Sequence, residues 1–439
     1  MVAAAKCQTI SNLTMNRTVA PLIKDAVELD LKLKPYYTFT LDNDVQVYTV
    51  DAGTEDVLQL EWVFYAGNWY EESNMVAAST NNLLKNGTHK RTAFSINEHF
   101  EYFGSYLNRQ CHNETATLTL HCLSRHLEEL LPVVQEILTE SIFSEEELQI
   151  FKRTGKQRLE VNLKKCDFVA NRLIDEYLFG TDHPYGRYSS SEAYDSLTRE
   201  KLQEFYKQYY LNGKCVLFIA GKLPANISTL LNQYFGKLSL NQTGLPEKEH
   251  IIHSFSEKKY RISNDPEGVQ GAIRIASHFP DRRHPDFAKV QVLNNLFGGY
   301  FGSRLMSNIR EEKGYTYGIH SYLQNHIQQS AWVISTEAGR DVSEATVDEV
   351  YKEMLDLRED LVDEEELMLV RNHMMGTILG ELDGPFHIIA KWKTIILNGL
   401  QENYFYDYLN TIKTVSDEEL LELSNKYLTP EKFYELVVI

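Results

Sequence analysis

Asn81-Asn82-Leu83-Leu84 returns in the second half of the chain as Asn294-Asn295-Leu296-Phe297, and this echo decides how the sequence is read. Two more echoes follow in the same order. Ser144-Glu-Glu-Glu-Leu148 is matched by Asp363-Glu-Glu-Glu-Leu367, and Lys207-Gln-Tyr-Tyr-Leu211 by Ser424-Asn-Lys-Tyr-Leu428, at nearly the same offset each time. Ordered matches at nearly constant spacing mark an internal repeat. The chain therefore divides into two homologous halves of about 200 residues each, the size of an ordinary domain.

Working outward from the echoes, each half mixes strands and helices. In the first, 45–50 and 58–65 are β-branched, aromatic or alternating, as strands are. The pattern over 74–84 predicts a helix ended by Asn86-Gly87. Ser95-x-x-Glu98 predicts a capping box opening the next helix, which Gly104 closes. An alternating strand follows at 115–122, then a long helix capped by Ser144-x-x-Glu147, and a closing strand at 215–221. The second half repeats the order and ends on a strand at 434–439. The expected fold is α+β, with two homologous domains, each a mainly antiparallel sheet packed with helices. The halves are 1–238 and 259–439, and the polar stretch 239–258, carrying Gly244 and Pro246, is the linker.

Composition narrows the function. A formal net charge of −18 argues against a nucleic-acid partner, which needs a basic face, and suits a solvated acidic surface. No apolar run approaches the roughly 18 residues of a membrane span, so no membrane partner is expected. The N-terminus lacks a basic leader followed by an apolar core, although a removed leader would leave no trace. Five scattered cysteines (Cys7, Cys111, Cys122, Cys166, Cys215) fit reduced thiols and a cytoplasmic setting better than a disulfide framework.

The residues between the echoes resemble a known family. Asn86-Gly87-Thr88, Phe103-Gly-Ser-Tyr-Leu-Asn108, His183-Pro-Tyr-Gly-Arg187, Val216-Leu-Phe-Ile-Ala-Gly221, Phe301-Gly-Ser-Arg-Leu305 and Ile309-Arg-Glu-Glu-Lys-Gly-Tyr-Thr-Tyr317 fall in its order. The chain resembles the pitrilysin/insulinase-like zinc peptidases, or inverzincins. That family also includes mitochondrial processing peptidase and the core subunits of respiratory complex III. Active members carry H-x-x-E-H on a first-half helix. Two histidines one turn apart bind zinc, the glutamate activates the bound water, and a later glutamate completes the ligand set.

Anchored on Gly87, the resemblance assigns the motif to Ala78, Ser79, Thr80, Asn81 and Asn82, so both histidines and the glutamate are missing. Glu160 stands near the interval of the third ligand, but one carboxylate without imidazoles cannot hold catalytic zinc, and an ordinary helix-surface role suits it better. Two other clusters offer ligand chemistry. In the first, Cys111-His112 with His121-Cys122 and His126, strand alternation sends His121 and Cys122 to opposite faces. In the second, Glu249-His250-x-x-His253, the groups lie in the linker without a third partner. No metal is expected in this chain; the resemblance places zinc only in a partner subunit.

The second half retains more. The family's Arg and Tyr, which face the zinc, match Arg310 and Tyr317 in their spacing, and this guanidinium and phenol can donate to a substrate carbonyl or oxyanion. The structural alternative pairs Arg310 with acids on its helix and half-buries Tyr317 in a strand. Gly298, Gly299 and Gly302 form either a substrate-contacting loop or a tight helix-to-helix connection. Some family members split the work between two chains, one carrying H-x-x-E-H and one contributing Arg and Tyr. The expectation is a non-catalytic subunit of that kind, inactive on its own. It would pair with an H-x-x-E-H homologue as a heterodimer around a peptide substrate. The alternative is a self-dimeric peptide-binding or scaffold protein without proteolytic role.

Overall fold

The structure, a computed structural model, describes residues 25–241, 244 and 247–439, so Cys7 and Pro246 lie outside the described residues. The first half forms a six-stranded sheet from β1 (Tyr37–Thr40), β2 (Gln46–Asp51), β3 (Val57–Phe64), β4 (Tyr106–Cys111), β5 (Ala116–Leu123) and β6 (Cys215–Gly221), ordered β1-β2-β6-β3-β5-β4. The second forms a five-stranded sheet from β7 (Lys259–Ile262), β8 (Gln270–Phe279), β9 (Thr316–Asn325), β10 (Ser330–Gly339) and β11 (Tyr434–Val438), ordered β7-β11-β8-β10-β9. Without the extra edge strand β1 the two orders are the same. Both sheets are antiparallel except at one place, where β2 runs parallel to β6 and β7 parallel to β11. The duplication is thus a duplication of topology, and the fold is α+β with two helix-packed sheets.

Several helices begin where a short polar side chain accepts from one of their first N–H groups. Ser144 accepts from the Glu147 amide to open Glu145–Asn162, and Asp363 accepts from the Glu365 amide to open its repeat, Glu364–Gly380. One expected cap is displaced. The helix Ala93–Tyr102 is opened by Thr92, whose hydroxyl accepts from the Ser95 amide, so Ser95 lies inside the helix rather than at its cap. Thr92 is itself a strong cap, and it leaves Ile96 and Phe100 facing the core.

The strands alternate between two cores. On β6, Cys215, Leu217 and Ile219 enter one apolar cluster and Val216, Phe218 and Ala220 the other. On β10, Ala331 and Val333 join the first while Trp332 and Ile334 join the second. The central strands of both sheets are therefore buried on both faces, and each core contains residues from both halves.

Helices exchanged between the halves make this possible. The first-half helix Cys166–Phe179 packs on β8 and β11 of the second half through residues such as Ala170 and Ile174. Its repeat, Pro385–Leu397, packs on β6 and β2 of the first half through Ile388, Ile389 and Trp392. Trp392 also donates from Nε1 to the Lys34 carbonyl (2.8 Å) and meets the Tyr36 ring edge-on at 4.8 Å.

Each exchanged contact carries one charge pair whose sheet member, Glu61 or Arg274, is buried. Glu61 on β3 accepts two bonds from Lys393 Nζ (2.9 and 2.8 Å), and Arg274 on β8 pairs with Asp167 and donates to Asn171 Oδ1 (2.8 Å). Glu61 and Arg274 stand at the same offset as Asn81 and Asn294, so the repeat keeps the position and inverts the sign. Between the helix Ile227–Phe235 and β7 the described residues form no helix or strand, yet they lie against the first half. There Lys248 O accepts from Trp69 Nε1 (3.1 Å), and the His253 amide donates to Phe179 O (3.3 Å).

Removing one member of a buried pair strands the other charge, whereas replacing both by apolar groups of similar size is far milder. Lys393→Ala is expected to destabilise by about 2–4 kcal/mol, Lys393 being partly exposed, and the double variant Glu61→Met/Lys393→Met by clearly less. Urea unfolding of both variants checks the ranking.

Candidate functional site

The helix Val76–Leu83 carries the positions to which the resemblance assigns the zinc motif. It lacks a side-chain cap of its own, because Met75 at the N-cap sits in the left-handed region with φ 71°. Glu71 replaces the cap: its carboxylate accepts from the Met75 amide (3.1 Å) and the Ala77 amide (2.9 Å). This puts an acceptor on the free N–H groups at the positive end of the helix. Burial pushes the Glu71 carboxyl up to about 7, against the opposing pull of those amides, Arg187 and Lys248.

Ala78 is half-buried and Asn82 exposed on this helix, while Asn81 is 2% exposed. The Asn81 amide nitrogen donates to Thr117 O (3.2 Å) and to the Tyr210 hydroxyl (3.1 Å). Tyr210 is buried against Phe64, ring centroids 4.8 Å apart. The position assigned to the catalytic glutamate is thus occupied by a neutral amide that ties helix, β5 and Tyr210 together. At the far end of the helix, Arg109 on β4 donates to Asn82 O and to Asn86 Oδ1 (3.1 Å). Burial lowers Arg109 only to about 10, so it stays a cation near neutrality, beside the residue assigned to the second histidine. Glu160 is exposed on the helix Glu145–Asn162.

These residues do not fit a zinc ion. Alanine offers no ligand atom, the asparagine amides are weak donors, and a fixed guanidinium opposes a dication. Among the described residues, no group of three or more His, Cys, Asp or Glu side chains stands ready to hold a metal.

The other clusters are occupied by packing. His121 stacks on Tyr106 at 4.6 Å while Cys122 is buried. His250 hydrogen-bonds the Trp69 carbonyl (2.8 Å) and packs edge-on to its ring at 4.5 Å. Burial drives His183 and His326 down to about 4, so both are neutral at pH 7.

In the second half, Arg310 lies on a π-helical segment, Met306–Glu312. Its guanidinium rests over the Phe301 ring at 4.8 Å and pairs with Glu311 at 3.4 Å. Tyr317 lies near the start of β9 at 89% exposure, and among the described residues its hydroxyl has no partner. No direct contact joins Arg310 and Tyr317 among the described residues; both present donors at the surface. Gly298 is buried under β9, where a Cβ would stand 2.6 Å from the Ser321 Cβ, so only glycine fits there. A Cβ on Gly302 would come within 2.8 Å of the Tyr300 ring, whereas Gly299 borders a cavity.

Known proteins share the sequence pattern and the fold. Residues 41–181 match the family model described as "Insulinase (Peptidase family M16)", and residues 196–374 match "Peptidase M16 inactive domain". The chain belongs to the peptidase M16 family. It is similar to "Uncharacterized zinc protease YmxG" of Bacillus subtilis (strain 168), at 21% identity covering 91% of this chain and 97% of that protein. It is also similar to "Probable inactive metalloprotease YmfF" of the same organism, at 23% identity covering 63% and 64%. A crystal structure of a peptidase M16 inactive domain from Pseudomonas fluorescens superposes with a TM-score of 0.82 at 22% identity, covering 92% of this chain and 98% of that one, which bears on fold.

Two contributors carry no mark in the sequence. Glu71 caps the helix from outside it, and Arg109 reaches it from a neighbouring strand. Neither stands at a cap or motif spacing, so only the tertiary contact reveals them. Glu71 also gives the site a pH signature. Because its folded pKa is raised, its contribution to stability is fully present below about 4.5 and is lost as pH rises through about 7. Glu71→Gln should abolish that loss, so unfolding midpoints of the variant measured at pH 5 and pH 7.5 should differ less in this direction than those of the native chain. An unchanged difference would show that Glu71 is not held protonated.

Proposed function

We propose that this chain is the non-catalytic subunit of a two-chain M16 peptidase, completing the peptide-binding chamber around a zinc ion held by an H-x-x-E-H homologue. The observation that carries this reading is selective loss. The metal positions are replaced by Ala78, Asn81 and Asn82, while Arg310 and Tyr317 persist at the family's spacing. Drift alone should erode both halves of the machinery together. The side chains also suit the role: the Tyr317 hydroxyl is unpartnered among the described residues, and Arg310 makes only one surface ion pair there. Both remain available to bind a substrate carbonyl or a developing oxyanion. In this arrangement Gly302, just upstream, borders the peptide path, Gly298 packs beneath β9, and Gly299 faces a different cavity. The free cysteines Cys111, Cys122, Cys166 and Cys215 suit a reducing compartment such as the cytoplasm.

The test is reconstitution. Purified chain mixed with an H-x-x-E-H relative from the same genome should give chelator-sensitive peptide cleavage that neither protein shows alone. Arg310→Ala or Tyr317→Phe should lower it about 10²–10³-fold, the usual effect of losing an oxyanion donor. Full activity in both variants would remove the assigned role. Tight self-dimers that bind peptide and ignore every such relative would instead establish the scaffold reading.

A further inference from the structure

A cavity of about 370 Å³ lies in the second half between the helices Phe287–Asn294, Glu364–Gly380, Pro385–Leu397 and Tyr404–Thr414. It is separate from the motif helix and from Arg310 and Tyr317, and binding there requires no peptidase role. Its size falls in the range of pockets that hold small organic molecules. Phe287, Met374, Ile378, Ile395 and Phe405 supply a buried apolar lining.

The charged groups at its wall do not balance. Lys391 pairs with Glu381, and the two cancel. His373 hydrogen-bonds Asn295 Oδ1 (3.1 Å) and stacks on Tyr300 at 4.6 Å, and burial lowers its pKa, leaving it neutral. Arg282 remains. Its guanidinium sits over the Phe287 ring at 5.4 Å and reaches the Tyr404 hydroxyl. The nearest acid in sequence, Asp281, is engaged by Arg283 at 2.6 Å, and among the described residues no carboxylate pairs with Arg282. Arg282 is thus a cation without an acid partner at the wall of an apolar cavity. Arginine's planar fork matches a carboxylate with two parallel hydrogen bonds, and the apolar lining matches a short hydrocarbon.

We propose that this cavity binds a small aliphatic carboxylate, with its head on Arg282 and its tail among Phe287, Met374, Ile378, Ile395 and Phe405. Tyr404 would add a second donor at the head. Calorimetric titration of the full chain with octanoate and decanoate tests this. At least one acid should bind saturably at one site per chain, with octanamide weaker by about tenfold or more, the worth of a charge-assisted hydrogen bond. Arg282→Gln should lose affinity by the same factor, and Arg282→Lys should lose less. Absence of saturable binding by both acids, equal binding of acid and amide, or native affinity in Arg282→Gln would each overturn the proposal. Should Arg282→Gln fail to fold by circular dichroism, the acid-against-amide comparison on the native chain decides alone.

Discussion

The central strands of both sheets are buried on both faces, and for each sheet part of that cover is a helix from the other half. The first half lends Cys166–Phe179 to β8 and β11, and the second returns Pro385–Leu397 to β6 and β2. Everything else depends on this exchange. It makes two cores out of both halves and sets the buried Glu61 and Arg274 against charges carried by the lent helices, Lys393 and Asp167. Buried pairs of this kind add little net stability over apolar substitutes but strongly penalise a mismatched register. Opposite signs at equivalent positions mean that each lent helix finds its complementary charge only on the correct sheet.

Within that frame, the helix Val76–Leu83 is anchored along its whole length. Glu71 holds its start, Arg109 its end, and Asn81 its middle, all through hydrogen bonds that need no ion. A neutral amide suits the middle position because Thr117 O and the Tyr210 hydroxyl can both accept from it. An ionised glutamate there would meet a backbone carbonyl it cannot bond and would bear a desolvation cost. The helix is thus held at its start, middle and end by protein partners alone.

Much of this is legible in the sequence, and the physical reasons for the rest are specific. The strands at 215–221 and 434–438 are readable because short β-branched and aromatic runs identify themselves locally. The duplication shows through the echoes, and the Ser144 and Asp363 caps through their polar-acidic signatures. The cap at Thr92 is easily misassigned to Ser95, because two capping residues stand three positions apart and only packing chooses between them. The helix exchange is invisible in the sequence. Apolar periodicity tells that a helix face is buried, never against which sheet. Arg109 and Glu71 stay hidden for the same reason: their partners are fixed by the fold and not by spacing.

The dependence of each half on the other is open to one direct measurement. The chain can be cut within 239–258 and the two pieces produced separately and together. Separately, each should lack cooperative unfolding and bind a hydrophobic dye, because one sheet face has lost its cover. Together, they should form an equimolar complex that unfolds in one transition. A half that unfolds cooperatively by itself, with native-like stability, would contradict the reciprocal exchange as the basis of this fold.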